Sequence, residues 1–158
     1  MPQQEKAILA AGCFWGVEHK FRQTDGIIDT RVGYIGGHTE NPSYKDVCYN
    51  DTGHAEAVEI TYDPAIISYE QILKIFFDIH DPTQKNRQGP DVGDQYRSAI
   101  FTLTPDQRKT AEEMIHNLED KNSFPKTIQT LVTPAQGLTF YEAEEYHQRY
   151  IEKQHGIP

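Results

Sequence analysis

Residues 7–22 read AILAAGCFWGVEHKFR: a five-residue apolar run, then a glycine, then apolar side chains at Phe14, Val17 and Phe21. A short apolar run closed by a turn residue has the signature of a buried strand, and a spacing of three to four that of one helix face. The stretch therefore predicts strand, tight turn at Gly12 and helix, with Cys13 at the junction.

Residues 27–35 carry the alternation of a strand ending at Gly36-Gly37, and 55–62 (AEAVEITY) alternate clearly before Asp63-Pro64. The stretch 38–54 between them predicts loop. Ser68 caps a helix whose apolar face is Ile72, Ile75, Phe76 and Ile79, stopping before Asp81-Pro82. Residues 83–96 (TQKNRQGPDVGDQY) predict a long polar loop of the kind that tends to be functional. A strand at 97–103 follows, then a helix at 106–122 with Pro105 at its first position, a strand at 126–133, and a polar, tyrosine-rich helix at 141–153. Alternating elements with the second and third strands joined directly predict an α+β fold, a ferredoxin-like two-layer α/β sandwich with a mixed sheet and extensive loops. No repeat, linker or low-complexity run divides residues 1–158, which predicts one catalytic domain.

The 158 residues can bury roughly 70% of the surface of the unfolded chain without disulfides. A net charge of -9 disfavours nucleic acid and anionic membranes as partners, and no run approaches the roughly 20 apolar residues of a membrane span. Residues 1–6 lack the basic and apolar stretches of a secretory signal, so the expected compartment is the cytosol. Two cysteines, Cys13 and Cys48, are too few for a disulfide framework, and the seven histidines show no ligand spacing; no metal is expected.

Cys13 opens the first helix, where unpaired amides and the helix dipole favour a thiolate nucleophile. Free cysteine is also among the most buried residue types, so position alone leaves nucleophile and inert core filler equally open. Phe14 and Trp15, early in the helix, read as core or as an apolar wall beside the thiol. Glu56 reads as a solvated strand carboxylate, Asp91 as a turn residue after Gly89-Pro90, and Tyr44 and Tyr96 as two of nine ordinary tyrosines.

GCFWG at 12–16, GYIGG at 33–37, NPSY at 41–44, TGHAE at 52–56, YDP at 62–64 and GDQYRS at 93–98 together resemble the A-type peptide methionine sulfoxide reductases, in that family's order and over roughly residues 7–153. The resemblance implies reduction of the S epimer of peptide-bound and free methionine sulfoxide. By the same resemblance, Cys13 attacks the substrate sulfur and Glu56 protonates the oxygen. Tyr44 and Tyr96 hydrogen-bond that oxygen, Asp91 lies near the substrate or a catalytic water, and Phe14 and Trp15 line the methyl pocket. Desolvation beside Phe14 and Trp15 is expected to raise the Glu56 pKa, keeping a proton available near neutral pH. Asp51 and His54 are left as structural.

Attack leaves Cys13 as a sulfenic acid that another thiol must reduce. Many family members carry resolving cysteines in a C-terminal tail, whereas this sequence closes HGIP at 155–158. Cys48 falls where the family often has a cysteine that does not take part, and reads as a small apolar filler. The expectation is a one-cysteine enzyme without a bound cofactor, recycled by thioredoxin, by glutathione with glutaredoxin, or by an added dithiol. Small size and an exposed site argue for a monomer. A thioredoxin-like oxidoreductase would need a cysteine where Gly16 stands, a cysteine hydrolase would need a His base with its orienting partner, and a redox sensor would oxidise without releasing methionine.

Overall fold

Gly12 has a φ of 97°, in the left-handed region that favours glycine, and this residue turns the first strand into the first helix. The computed structural model describes residues 4–154. In it β1 (Glu5–Ala11) enters the turn and α1 (Phe14–Arg22) leaves it, followed by β2 (Ile27–Ile35), α2 (Tyr44–Tyr49), β3 (Ala55–Tyr62) and α3 (Tyr69–Asp78). A two-residue hairpin, β4 (Arg87–Gln88) and β5 (Asp91–Val92), leads through a 3-10 turn at Asp94–Tyr96 into β6 (Ser98–Thr102), α4 (Pro105–Asp120) and β7 (Leu131–Pro134). The chain then runs through β8 (Tyr141–Glu142), a 3-10 turn at Glu145–His147 and α5 (Tyr150–Gln154).

The main sheet has the order β7-β6-β1-β3-β2-β8. Its centre, β6-β1-β3-β2, is antiparallel throughout and gives the ferredoxin-like arrangement; β7 joins β6 in parallel after the α4 crossover, and β8 joins β2 antiparallel. The expected mixed-sheet α+β sandwich is therefore found.

Side-chain parity assigns the two faces. Ala7, Leu9, Val32, Tyr34, Val58, Ile60 and Ile100 point to the helices, against Phe14, Phe21, Ile72, Leu73, Phe76 and Ala111. The other face is small, with Ala10, Ala55, Ala57 and Ala99 between Ile8, Ile35 and Phe101, and is packed by Ala135, Leu138 and Phe140. Glu56 shares its parity with Val58, Ile60 and Tyr62, so it points into the helix layer at 1% exposure, not to solvent.

Local chemistry fixes most boundaries as expected. Ser68 accepts from the Gln71 amide while the Gln71 side chain accepts from the Ser68 amide, a reciprocal cap for α3. Thr104 caps α4, and Pro105 occupies its first turn, where a missing N–H costs nothing.

Three expectations are corrected. The stretch 38–54 is not all loop: α2 forms within it, because Ser43 and Asp46 make a complete capping box. The strand expected at 126–133 begins only at Leu131, since the parallel pairing with β6 starts at Ala99↔Leu131. The segment 141–153 is not one helix. Gln148 stops it by bonding the Val32 amide through Oε1 and the carbonyls of Val32 and Ala143 through Nε2, which pins an extended strap along the edge of β2. Residues 1–3 of the N-terminal segment and the HGIP end at 155–158 lie outside the described residues.

Candidate active site

Cys13 is the N-cap residue of α1 and is half-buried. The amides of Trp15 and Gly16 point at its sulfur and favour the thiolate, as the helix start predicts. Burial outweighs them: with nearby Glu56 and Asp91 adding to it, desolvation pushes the thiol up to about 11. Burial thus opposes the thiolate that the helix start favours. Partial burial with carboxyls for neighbours penalises the anion by more than two amides recover, and near neutral pH the free site favours the thiol.

Glu56 reaches this turn from β3. Its Oε1 accepts from the Phe14 amide at 3.3 Å, and its Oε2 is buried with no hydrogen-bond partner among the described residues. Desolvation, opposed by the Phe14 amide and aided by Asp91, pushes the carboxyl up to about 8. At neutral pH the site therefore holds a protonated acid with an unused oxygen, as the sequence-based desolvation argument expects.

Two tyrosines stand over the same spot. Tyr44 opens α2, with its hydroxyl against the Cys48 sulfur one turn on; burial raises its pKa, with Cys48 and Glu56 adding to the shift. Tyr96 ends the 3-10 turn before β6 and is pushed up to about 12 by burial, with Glu56, Cys48, Asp91 and Cys13 contributing. Both are neutral donors at any ordinary pH. Asp91 arrives on the hairpin, paired with Gln88. Gln88 bonds the amide and carbonyl of Asp81 and packs so closely on Gly12 that a Cβ there would lie 2.9 Å from its side chain. The predicted polar loop is in this way an ordered element leaning on the nucleophile turn.

Phe14 and Trp15 differ. Phe14 is 1% exposed, its ring 5.8 Å from Tyr34 and 6.4 Å from Tyr44, and belongs to the helix-side core. Trp15 is half-buried, stacked on Tyr150 at 3.9 Å, and its Nε1 donates to His147 Nδ1 at 2.9 Å. Sequence reasoning missed the residues of the strap. His147 lies 4.4 Å from the Tyr44 ring, and the Glu144 carboxylate accepts from Tyr34 and from the Tyr44 amide. Reading 141–153 as one helix hid them. Cys48 is half-buried and unpaired, and burial pushes its pKa up. His54 is structural, bonding the Gly37 amide and the Thr39 carbonyl.

A groove of about 810 Å³ between α3 and α4 is lined by none of these groups, so the chemistry does not follow cavity size. Among the described residues no three His, Cys, Asp or Glu side chains converge to hold a metal ion, and no helix is long and apolar enough to cross a membrane.

A half-buried thiol can pass two electrons to an acceptor whose basic oxygen takes a proton from the neighbouring carboxyl and hydrogen bonds from two phenols close enough to feel it. The family of peptide methionine sulfoxide reductases matches residues 5–157. Peptide methionine sulfoxide reductase MsrA of Methanothermobacter thermautotrophicus is 56% identical over 153 residues, covering 97% of this chain and 89% of that protein. Methionine sulfoxide reductase A of Corynebacterium diphtheriae superposes with a TM-score of 0.89 at 38% identity, covering 97% of this chain and 76% of the other. Mxr1 from Saccharomyces cerevisiae in reduced form gives 0.87 at 39% identity, covering 96% and 86%. A structure of the yeast protein in complex with Trx2 gives 0.65 at 29% identity over 94% and 85% of the two chains. The chain belongs to the peptide methionine sulfoxide reductase family and is a methionine sulfoxide reductase.

Proposed function

We propose that this chain, as one catalytic domain, reduces the S epimer of methionine sulfoxide, peptide-bound or free, with Cys13 as nucleophile and Glu56 as acid. The observation that carries the reading is the buried, unpartnered Oε2 of Glu56 beside the residue that follows Cys13. A substrate oxygen completes that hydrogen bond.

The sulfoxide oxygen takes bonds from Glu56, from Tyr96 and from Tyr44, whose hydroxyl turns to it from the Cys48 sulfur, and the substrate methyl group rests on Trp15 and Phe14. Asp91, close enough to raise the pKa values of Cys13 and Glu56, lies near the substrate or a catalytic water. With oxygen, methyl and side chain each given a place, Cys13 meets the open face of the sulfur in one epimer only. Cys13 Sγ donates an electron pair to the substrate sulfur while Glu56 gives its proton to the oxygen. The Cys13 proton replaces it on Glu56. The oxygen then passes to Sγ, releasing the thioether as methionine and leaving Cys13 as a sulfenic acid. An external thiol attacks the sulfenic acid, expels water and forms a mixed disulfide; a second thiol frees Cys13. Thioredoxin fits as the reductant, in line with the Mxr1–Trx2 complex, and glutathione with glutaredoxin is the alternative. Both cysteines are unpaired, which suits a reducing, cytosolic setting.

Intact mass after one equivalent of substrate without reductant tests the recycling route. A gain of one oxygen on the protein is expected. A loss of two hydrogens, abolished by Cys48→Ser, would instead make Cys48 the resolving thiol.

A further inference from the structure

Glu144 lies outside every element named in the mechanism, yet both of its carboxylate oxygens are committed to the site. Tyr34 Oη donates to Oε1 at 2.9 Å and the Tyr44 backbone N–H donates to Oε2 at 3.0 Å. Tyr34 pairs directly with Glu56 across β2 and β3. Tyr44 is the first residue of α2, whose own cap, Ser43, serves the Asp46 amide and leaves that of Tyr44 free for Glu144. The strap that carries Glu144 is itself held by Gln148 on Val32 and by Glu18, which accepts from the Arg149 amide at 2.6 Å and from Thr30 at 2.7 Å.

We propose that Glu144 is a positioning residue for the sulfoxide oxygen site, fixing the Tyr44 backbone against the Tyr34–Glu56 strand pair so that the Tyr44 hydroxyl faces the oxygen. This rests on the assignment of Tyr44 to that oxygen. One carboxylate bridges two donors from separate elements, which fixes their spacing to the width of a carboxyl group more sharply than the shared packing on Phe14 does. Without it, the first turn of the six-residue α2 keeps its local Ser43–Asp46 cap and the ring contacts of Tyr44, but no hydrogen bond from the strap holds the Tyr44 backbone.

The test is the single-turnover rate of methionine formation. Glu144→Ala is expected to slow it about tenfold, the scale of one lost hydrogen bond to a charged group, with a smaller change in KM. Glu144→Gln recovers most of the rate, because its oxygen still accepts from Tyr44 and the Tyr34 hydroxyl can turn to accept from the carboxamide. In a Tyr44→Phe background, Glu144→Ala adds no further loss. If Glu144→Ala does not fold, Glu144→Asp takes its place, withdrawing the carboxylate by one methylene; its loss too must vanish in Tyr44→Phe. An equal loss in both backgrounds, or a Gln variant as slow as Ala, overturns the proposal. Full activity of Tyr44→Phe alone would instead overturn the assignment of Tyr44.

Discussion

The Phe14 amide donates to Glu56 Oε1 at 3.3 Å, tying the acid to the peptide unit just after Cys13. One bond thus fixes acid and nucleophile to a common frame, and the second oxygen of the acid is left for substrate. With Glu56 at about 8 and Cys13 at about 11, both groups hold their protons at neutral pH. The single-turnover rate should therefore be flat below neutrality and fall as pH rises through about 8, where Glu56 ionises. No rise should offset the fall before the thiol ionises. Glu56→Gln should lower the neutral-pH rate by on the order of 100-fold or more and abolish the fall. A Gln variant with undiminished turnover would remove Glu56 from the mechanism.

The same burial makes Glu56 a stability liability. Its folded pKa is raised above the ordinary glutamate value, so the native state holds the proton more tightly than the unfolded chain does. Stability from this group is complete below about 4.5 and is lost as pH rises through about 8. At about 1.4 kcal/mol for each pH unit, the loss amounts to a few kcal/mol. Urea unfolding at pH 5 and pH 8 should show Glu56→Gln gaining on the parent by that amount; parallel behaviour of the two proteins would contradict the burial argument.

Tyr44 and Tyr96 approach from different elements, so their contributions should be separable. Tyr44→Phe and Tyr96→Phe should each lower kcat/KM by about 10- to 100-fold, in the range found for removing one donor to a developing oxyanion or less. The double variant should lose more than either. Equal activity of the single variants and the parent would leave the oxygen to Glu56 alone.

Trp15 is the only tryptophan, and its ring is locked between Tyr150 and the His147 bond, so its fluorescence reports on the pocket alone. In Cys13→Ser, which can bind but not react, added methionine sulfoxide should shift the emission in a saturable way. Trp15→Ala should raise KM several-fold, since burying one methyl group contributes about 0.8 kcal/mol. An unchanged KM would place the methyl group elsewhere.

Periodicity carries the fold well where elements are long. β1, α1, β2, β3 and α3 emerge from apolar spacing and caps, and their order, continued by the strand that becomes β6, leads to the ferredoxin-like sheet. Parity also held a signal that composition obscures: Glu56 lies in the row of Val58, Ile60 and Tyr62, which already marks it as inward-facing, although a strand glutamate is ordinarily solvated. The short α2 was hidden by its length, and the strap by side chains that replace regular structure. Gln148 acts as a strand partner for Val32, and no local period encodes a bond spanning 116 residues. The thiol is the opposite case: a helix start is local and readable, while the Glu56 and Asp91 carboxyls that oppose its ionisation come from distant parts of the chain.

In this mechanism the Cys13 thiol takes the oxygen from one epimer of the substrate. The most direct measurement supplies separated S and R epimers of a blocked methionine sulfoxide, with a dithiol reductant, to the parent protein and to Cys13→Ser. Methionine should form from the S epimer alone and only with the parent. Turnover of the R epimer, or methionine formed by Cys13→Ser, would contradict the account.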